Sequence, residues 1–238
     1  MFSWLKSPSN FLEVDLHSHL IPGIDDGVDS WDESLNLLSQ LSELGYKKII
    51  TTPHIIQNYY PNTSDQIREG VTELNRLLAE SDISIQVEAG AEYYLDDHFA
   101  KQVETKENLL SFGNGYILIE TPFMNKPLFL EETVFNLQAN GLKPILAHPE
   151  RYTYLQNNME LVQNLTSLGV FMQVNISSLT GYYSKEAKQL AKHLIDTNQI
   201  HFLASDIHNQ KHLNEVKSAT KSKLFQRCRQ LRLLNSTL

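Results

Sequence analysis

The apolar run Val14-Asp15-Leu16 ends in His17-Ser18-His19, and the turn that follows carries Asp25-Asp26-Gly27. In an extended chain, residues two apart share a face, so both imidazoles can aim at one ion. The turn can then swing a carboxylate back toward it. Taken alone, a His-x-His pair is equally well explained as two surface histidines at a strand end, and this stretch leaves both readings open. The other strand ends carry the decision. His54 follows residues 48–52, and Glu92 follows 83–89. Glu120 ends 116–119, His148 ends 144–147, and Asp206 with His208 follows 200–204. Only the strand expected at 170–174 ends otherwise, in Asn175.

Each position alone has an ordinary explanation, a loop histidine or a solvated carboxylate. Together they resist it, because strand ends favour Gly, Asn, Asp, Ser and Pro over histidine. His98, His193, His201 and His212 lack such placement and are set aside as non-functional. The set comprises five imidazoles (His17, His19, His54, His148, His208) and four carboxylates (Asp26, Glu92, Glu120, Asp206). That exceeds one ion, since zinc takes four ligands and manganese about six. Two or three ions sharing a bridging carboxylate are expected. Nitrogen and oxygen donors without thiolate suit manganese, iron or zinc over copper(I) or an iron–sulfur cluster. Clustered divalent ions are a hydrolytic device that generates hydroxide near neutral pH and clamps phosphoryl oxygens.

The elements that must position these residues alternate regularly. A strand over 12–16 precedes a capping box, Ser30-Trp31-Asp32-Glu33, and a helix with Leu35, Leu38, Leu41 and Leu44 at helical spacing, stopped by Gly45. Thr63 and Gln66 open a second helix with Ile67, Val71, Leu74 and Leu78 on one face. The interval 96–111 is polar and shows no clear element. Helices over 129–140, around Leu161 and Leu165, and from Ser184 separate the later strands, and one amphipathic helix is expected to run to the C-terminus. Seven strand–helix units give either an open doubly wound sheet or a barrel. An open sheet brings together only residues near its switch point, whereas a barrel gathers the ends of all its strands at one mouth. The ring of ligands therefore favours a closed or nearly closed barrel.

Composition narrows the function further. The 238 residues, 41% hydrophobic and 20% charged, suit one α/β domain. No apolar run is long enough to insert in a membrane, and Met1 to Asn10 lacks the apolar segment of a secretory signal. A single cysteine, Cys228, fits a reducing, cytoplasmic setting. The net charge of −8 argues against nucleic acid as partner. Seven basic residues from Lys211 onward, against Glu215, read as the solvated face of a terminal helix.

With these residues assembled, the chain resembles the polymerase and histidinol phosphatase (PHP) superfamily. Within it, the similarity is to the bacterial manganese-dependent protein-tyrosine phosphatases of capsule and exopolysaccharide systems. The motifs that carry it are Asp15-Leu16-His17-Ser18-His19, Asp25-Asp26-Gly27, Thr52-Pro53-His54, Gly90-Ala91-Glu92-Tyr93-Tyr94, Ile119-Glu120, Ala147-His148-Pro149-Glu150-Arg151-Tyr152 and Ala204-Ser205-Asp206-Ile207-His208-Asn209. The resemblance implies a single domain over 1–238, a distorted (β/α)7 TIM-like barrel with an N-terminal extension at 1–10 and a basic C-terminal helix at about 211–238. It implies His17, His19, Glu92 and Asp206 on one ion, Glu92, Glu120 and His148 on a second, and Asp26, His54 and His208 on a third. Asp26 rather than Asp25 aligns with the family's aspartate before glycine. Arg151 matches an arginine that holds substrate phosphate, and His148 and Asp206 join it in the catalytic set. Relatives often carry an arginine after the last metal histidine, where this chain reads Asn209-Gln210-Lys211-His212. Lys211 offers a point charge there, not a bidentate fork.

The activity so implied is hydrolysis of a phosphotyrosine protein, with a bacterial tyrosine kinase of polysaccharide export as candidate substrate. The cysteine route is excluded, because it needs Cys-x5-Arg and Cys228 is followed six residues on by Leu234. Competing readings are a small-molecule phosphatase acting on a compound such as histidinol phosphate, a nuclease, or a non-catalytic metal-binding partner of a kinase. Tyr59 and Tyr60, just beyond His54, are candidates for shaping the mouth.

Overall fold

A computed structural model describes residues 10–238, so most of the expected N-terminal extension lies outside the described residues. The strands are β1 (Val14–Asp15), β2 (Lys48–Thr51), β3 (His54–Ile55), β4 (Gln86–Ala89), β5 (Glu92–Tyr94), β6 (Tyr116–Glu120), β7 (Lys143–Ala147), β8 (Phe171–Asn175) and β9 (Phe202–Ala204). Between and after them run α1 (Trp31–Leu44), α2 (Ser64–Ala79), α3 (Asp97–Glu104), α4 (Leu130–Ala139), α5 (Met159–Ser167), α6 (Lys185–Asp196), α7 (Gln210–Ala219) and α8 (Lys223–Cys228). All strand pairs are parallel, β1-β2-β4 in one sheet and β3-β5-β6-β7-β8-β9 in another.

The nine segments occupy seven positions. Pro53, which has no N–H to give the ladder, separates β2 from β3, and Gly90-Ala91 separates β4 from β5. Gly90 admits no side chain, because a Cβ there would run into Phe112, Thr52 and Ile50. Main-chain bonds carry the pairing across the breaks, Gly90 N to Thr51 O at 2.8 Å and Glu92 N to Pro53 O at 3.1 Å. The ring then closes on itself. Asp206 N donates to His17 O at 2.9 Å and His19 N donates to Ile207 O at 2.8 Å, joining the first strand position to the last. Lower down, Asn235 accepts from Leu203 N and donates to Val14 O and Leu203 O, replacing the ladder where β1 and β9 do not pair. The distorted seven-position barrel expected from the sequence is the observed architecture.

Alternation along the strands sorts the core. Ile117 and Ile119 face the helices, while Tyr116 and Leu118 fill the barrel with Leu16, Ile50, Ile145, Ala147, Phe202 and Ala204. Glu120 continues the inward register of Leu118, which delivers a carboxylate to the top of that interior. The lower end is plugged by aromatic rings, Tyr116 standing edge-on to both Phe171 and Phe202.

Several local expectations need correction. Only Val14–Asp15 of the first run pairs as a strand, because the main-chain to main-chain bonds beyond it run to Thr52 and Ile207 instead of continuing the ladder with β2. The strand expected over 83–89 begins at Gln86, the first residue in register with β2. The polar interval contains α3, opened by Asp96 accepting from Phe99 N. Ser30 does cap α1 by accepting from Glu33 N, but the Glu33 carboxylate reaches Asp29 N, so the reciprocal half of the box falls one residue earlier. The single terminal helix is two: Asn209 caps α7, and Ser222 accepts from Phe225 N to start α8 afresh.

Candidate metal centre and active site

At the carboxyl ends of the strands the nine candidate donors meet in one cluster. His17 Nε2 lies 3.0 Å from Glu92 Oε2, 3.2 Å from His19 Nε2 and 3.3 Å from Asp206 Oδ1. His19 Nε2 is 3.4 Å from the same Glu92 oxygen and 3.6 Å from the same Asp206 oxygen. The other oxygen, Glu92 Oε1, is 3.1 Å from His148 Nε2, which sits 3.6 Å from Glu120 Oε1. Asp26 Oδ1 stands 3.5 Å from His54 Nε2 and 3.4 Å from His208 Nε2. The groups overlap, since His54 Nδ1 also lies 3.2 Å from Glu92 Oε2, and His17, His148 and Asp206 offer a further close set.

These spacings fit divalent ions. Donor atoms about 2.1 Å from one ion stand about 3.0 to 3.4 Å apart in octahedral or tetrahedral geometry. The His17 and His19 Nε2 atoms face one another at 3.2 Å, as two donors to one ion would. His54 Nδ1 and His148 Nδ1 are buried without a hydrogen bond. The donor set is nitrogen and oxygen throughout, with no thiolate near it.

The surrounding chain aims the rings. Asp25, passed over in favour of Asp26, bonds His19 Nδ1 at 2.7 Å and accepts from His54 N at 3.0 Å, so it orients two donors from behind. Gly27 lets this turn pack onto the His19 main chain, where a Cβ would collide with it. His208 Nδ1 is held 3.0 Å from Asp206 O. Asp15 bonds Ser205 through both its main-chain N–H and its hydroxyl, fixing the approach to Asp206. His148 and Asp206 both have left-handed backbones, with φ of 32° and 54°. Such strain in non-glycine residues persists only where surrounding contacts over-determine it, and it gathers at functional sites.

Electrostatics divide the two glutamates. Burial and the neighbouring Glu92 carboxylate push Glu120 well above the usual range. Glu92 is equally buried, yet His17 and His54 hold it well below that range. Burial works against a charge on His17, but Glu92 and Asp206 outweigh it and push its pKa up to about 9. Burial, aided by the Arg151 charge, takes His148 down to about 4.

Above the donors opens a cavity of about 950 Å³. Tyr59, Tyr60, Tyr94, Phe123, Tyr182 and Tyr183 form its aromatic wall, with Asp26, His54, Glu92, Glu120, His148, Asp206 and His208 at its base. Tyr60 stacks on the His54 ring at 5.6 Å and 11°. Arg151 lines the same cavity, its guanidinium 4.8 Å from the Phe123 ring and 4.4 Å from the Tyr183 ring. Its Nη1 lies 3.1 Å from Asp206 Oδ2. Lys211 and His212 complete the rim, so His212, set aside from the sequence, does face the cavity. His98, His193 and His201 do not line it.

Sequence reasoning missed the supporting residues: Phe123 and Tyr183 beside Arg151, Asp25 behind His19, and Gln173 and Asn175 on β8. The last two carried a signal. In Phe171–Asn175, the polar residues fall two apart on the inward face that Phe171 shares, where an interior strand would place apolar side chains.

Comparison with known proteins agrees with this geometry. Tyrosine-protein phosphatase YwqE of Bacillus subtilis is 33% identical over 201 residues, 84% of this chain and 79% of that protein. Tyrosine-protein phosphatase CpsB of Streptococcus pneumoniae is 28% identical over 201 residues, 82% of this chain and 83% of that one. Among solved structures, a chain from the crystallographic study of YwqE and CpsB, described there as metal-dependent tyrosine phosphatases, matches with a TM-score of 0.78 and 32% identity over 89% of each chain. The lactonase Lmo2620 of Listeria monocytogenes shares the fold alone, at 12% identity and a TM-score of 0.53. The family of capsular polysaccharide synthesis proteins CpsB/CapC matches residues 13–230, and the chain belongs to that family.

Proposed function

We propose that this protein is a metal-dependent phosphotyrosine-protein phosphatase, and the observation that carries the reading is a nine-donor cluster lying beneath an aromatic-walled cavity that also holds Arg151. His17, His19, Glu92 and Asp206 would hold one divalent ion, Glu92, Glu120 and His148 a second, and Asp26, His54 and His208 a third. The nitrogen and oxygen donors suit manganese, iron or zinc, and manganese is the metal that the resemblance implies. Bound there, such ions supply Lewis acidity toward phosphoryl oxygens and bring the pKa of water near neutrality.

The chain's own residues set up the rest. Arg151 is fixed by Asp206 on one edge and flanked by two aromatic rings, which leaves the rest of its fork for phosphate oxygens. The tyrosines and Phe123 give a phenyl ring apolar faces on which to lie. A phenolate, with a parent pKa of about 10, is a better leaving group than an alkoxide. Cys228 plays no part, for its thiol is buried against α8 and pushed up to about 12 by that burial. A tyrosine kinase of polysaccharide export in the cytoplasm fits the family's setting as substrate. Among the described residues, no helix is long and apolar enough to cross a membrane.

The test is turnover of a phosphotyrosine peptide by the manganese-loaded protein, with histidinol phosphate run in parallel. Peptide turnover that is faster than on histidinol phosphate, and is lost on chelation or in His148→Ala, is the expected result. No peptide turnover by the loaded protein contradicts the reading, and a preference for histidinol phosphate reassigns the substrate.

A further inference from the structure

Strand β8 is the one strand position that sends no donor to the cluster, yet its two inward polar residues touch the cluster on both sides. Gln173 Oε1 lies 2.9 Å from His17 Nδ1. Gln173 Nε2 donates to Asn175 Oδ1 at 2.8 Å. Asn175 Nδ2 donates to Asp206 Oδ2 at 2.7 Å and to Tyr183 OH at 3.2 Å. Gln173 and Asn175 are fully buried, so no bulk water can replace these partners.

The polarity of this chain of bonds admits one self-consistent assignment. A carboxylate only accepts, so Asn175 must turn its NH2 toward Asp206 and its carbonyl toward Gln173. Gln173 must then give its NH2 to Asn175, which leaves its carbonyl facing His17. A carbonyl accepts only, so His17 must carry its proton on Nδ1. In the neutral ring the lone pair is thereby left on Nε2, the atom 3.0 Å from Glu92 and 3.3 Å from Asp206. The same Asn175 contact occupies Oδ2 of Asp206 and leaves Oδ1 turned to His17 and His19.

We infer that Gln173 and Asn175 are positioning residues: they set the His17 tautomer and divide the two oxygens of Asp206, readying both for an ion between them. The inference rests on the metal reading above. Acceptors behind a metal-binding imidazole tune its affinity through ring orientation and tautomer, commonly by 10- to 100-fold.

Two measurements test it, and neither reads catalysis. In the metal-free protein above the His17 titration range, long-range 1H–15N spectra are expected to report His17 as the Nδ1–H tautomer; the Nε2–H tautomer overturns the inference with no variant needed. Manganese titration by calorimetry then compares wild type with Gln173→Met, which keeps the volume and removes both amide functions, and with Gln173→Glu, which keeps the acceptor facing His17. Gln173→Met is expected to lose about 10- to 100-fold in affinity for one ion, measured on metal-free protein that still unfolds cooperatively, and most of the affinity is recovered in Gln173→Glu. Equal affinities in wild type and Gln173→Met, or an equal loss in both variants, overturn it. Failure of the wild type itself to bind manganese sinks the metal reading instead, which keeps the two failures apart.

Discussion

Arg151 joins the base of the cavity to its wall. Its guanidinium is pinned to Asp206, which also faces His17, and is flanked by Phe123 and Tyr183. Lysine would keep the charge but lose the planar fork and the favourable faces for stacking. Arg151→Lys is therefore expected to lower kcat/KM on a phosphotyrosine peptide about 100-fold, mainly through KM, while manganese binding stays within a few-fold of wild type; a change of less than threefold would remove Arg151 from phosphate recognition. At this scale much was legible. Histidines and glutamates at successive strand ends stand out because strand ends rarely carry them, and the structure brings all nine into one cluster. What could not be read is what touches a donor from behind. Gln173 lies mid-strand and Tyr183 follows β8 by several residues, so their approach to His17 and Arg151 exists only once the barrel has closed.

Among the elements, the weak point is the seam between the first and last strands. Below the cluster, β1 and β9 share no ladder, and the buried amide of Asn235 supplies three bonds in its place. Asn235→Ala would leave Leu203 N, Leu203 O and Val14 O without partners in a buried seam. A loss of about 3 kcal/mol in chemical denaturation is expected, and a loss under 0.5 kcal/mol would show the seam to be held elsewhere. Beside it, His201 accepts from Met172 N at 3.0 Å and stands edge-on to Phe171. Burial lowers its pKa below the usual histidine value of 6.5. The unfolded chain therefore takes up this proton first as pH falls, so the stabilising contribution is present above about 6.5 and is lost on acidification below it. Melting curves from pH 7.5 down to 5 should show a steeper decline for wild type than for His201→Gln; parallel declines would rule His201 out as the source. This seam was not legible beforehand, because Asn235 looks like any other polar residue. The renewed pairing at His54 and Glu92 was similarly hidden, since the runs 48–52 and 83–89 read as complete strands that end before Pro53 and Gly90.

At the scale of the molecule, the alternation of strands and helices left barrel and open sheet unresolved, and polar placement settled it. Donors on six of seven strand positions meet only if the sheet curls into a ring, and the bonds from Asp206 to His17 and from His19 to Ile207 close that ring directly beneath the cluster. Closure and site are thus joined: of the four residues that complete the barrel, His17, His19 and Asp206 belong to the donor cluster. The most direct measurement is anomalous scattering at the manganese edge from crystals of the manganese-loaded protein. Two or three peaks lying among His17, His19, Asp26, His54, Glu92, Glu120, His148, Asp206 and His208, each about 2.1 to 2.3 Å from its donors, are expected. A loaded crystal with a single peak, or with peaks away from these residues, would contradict the account.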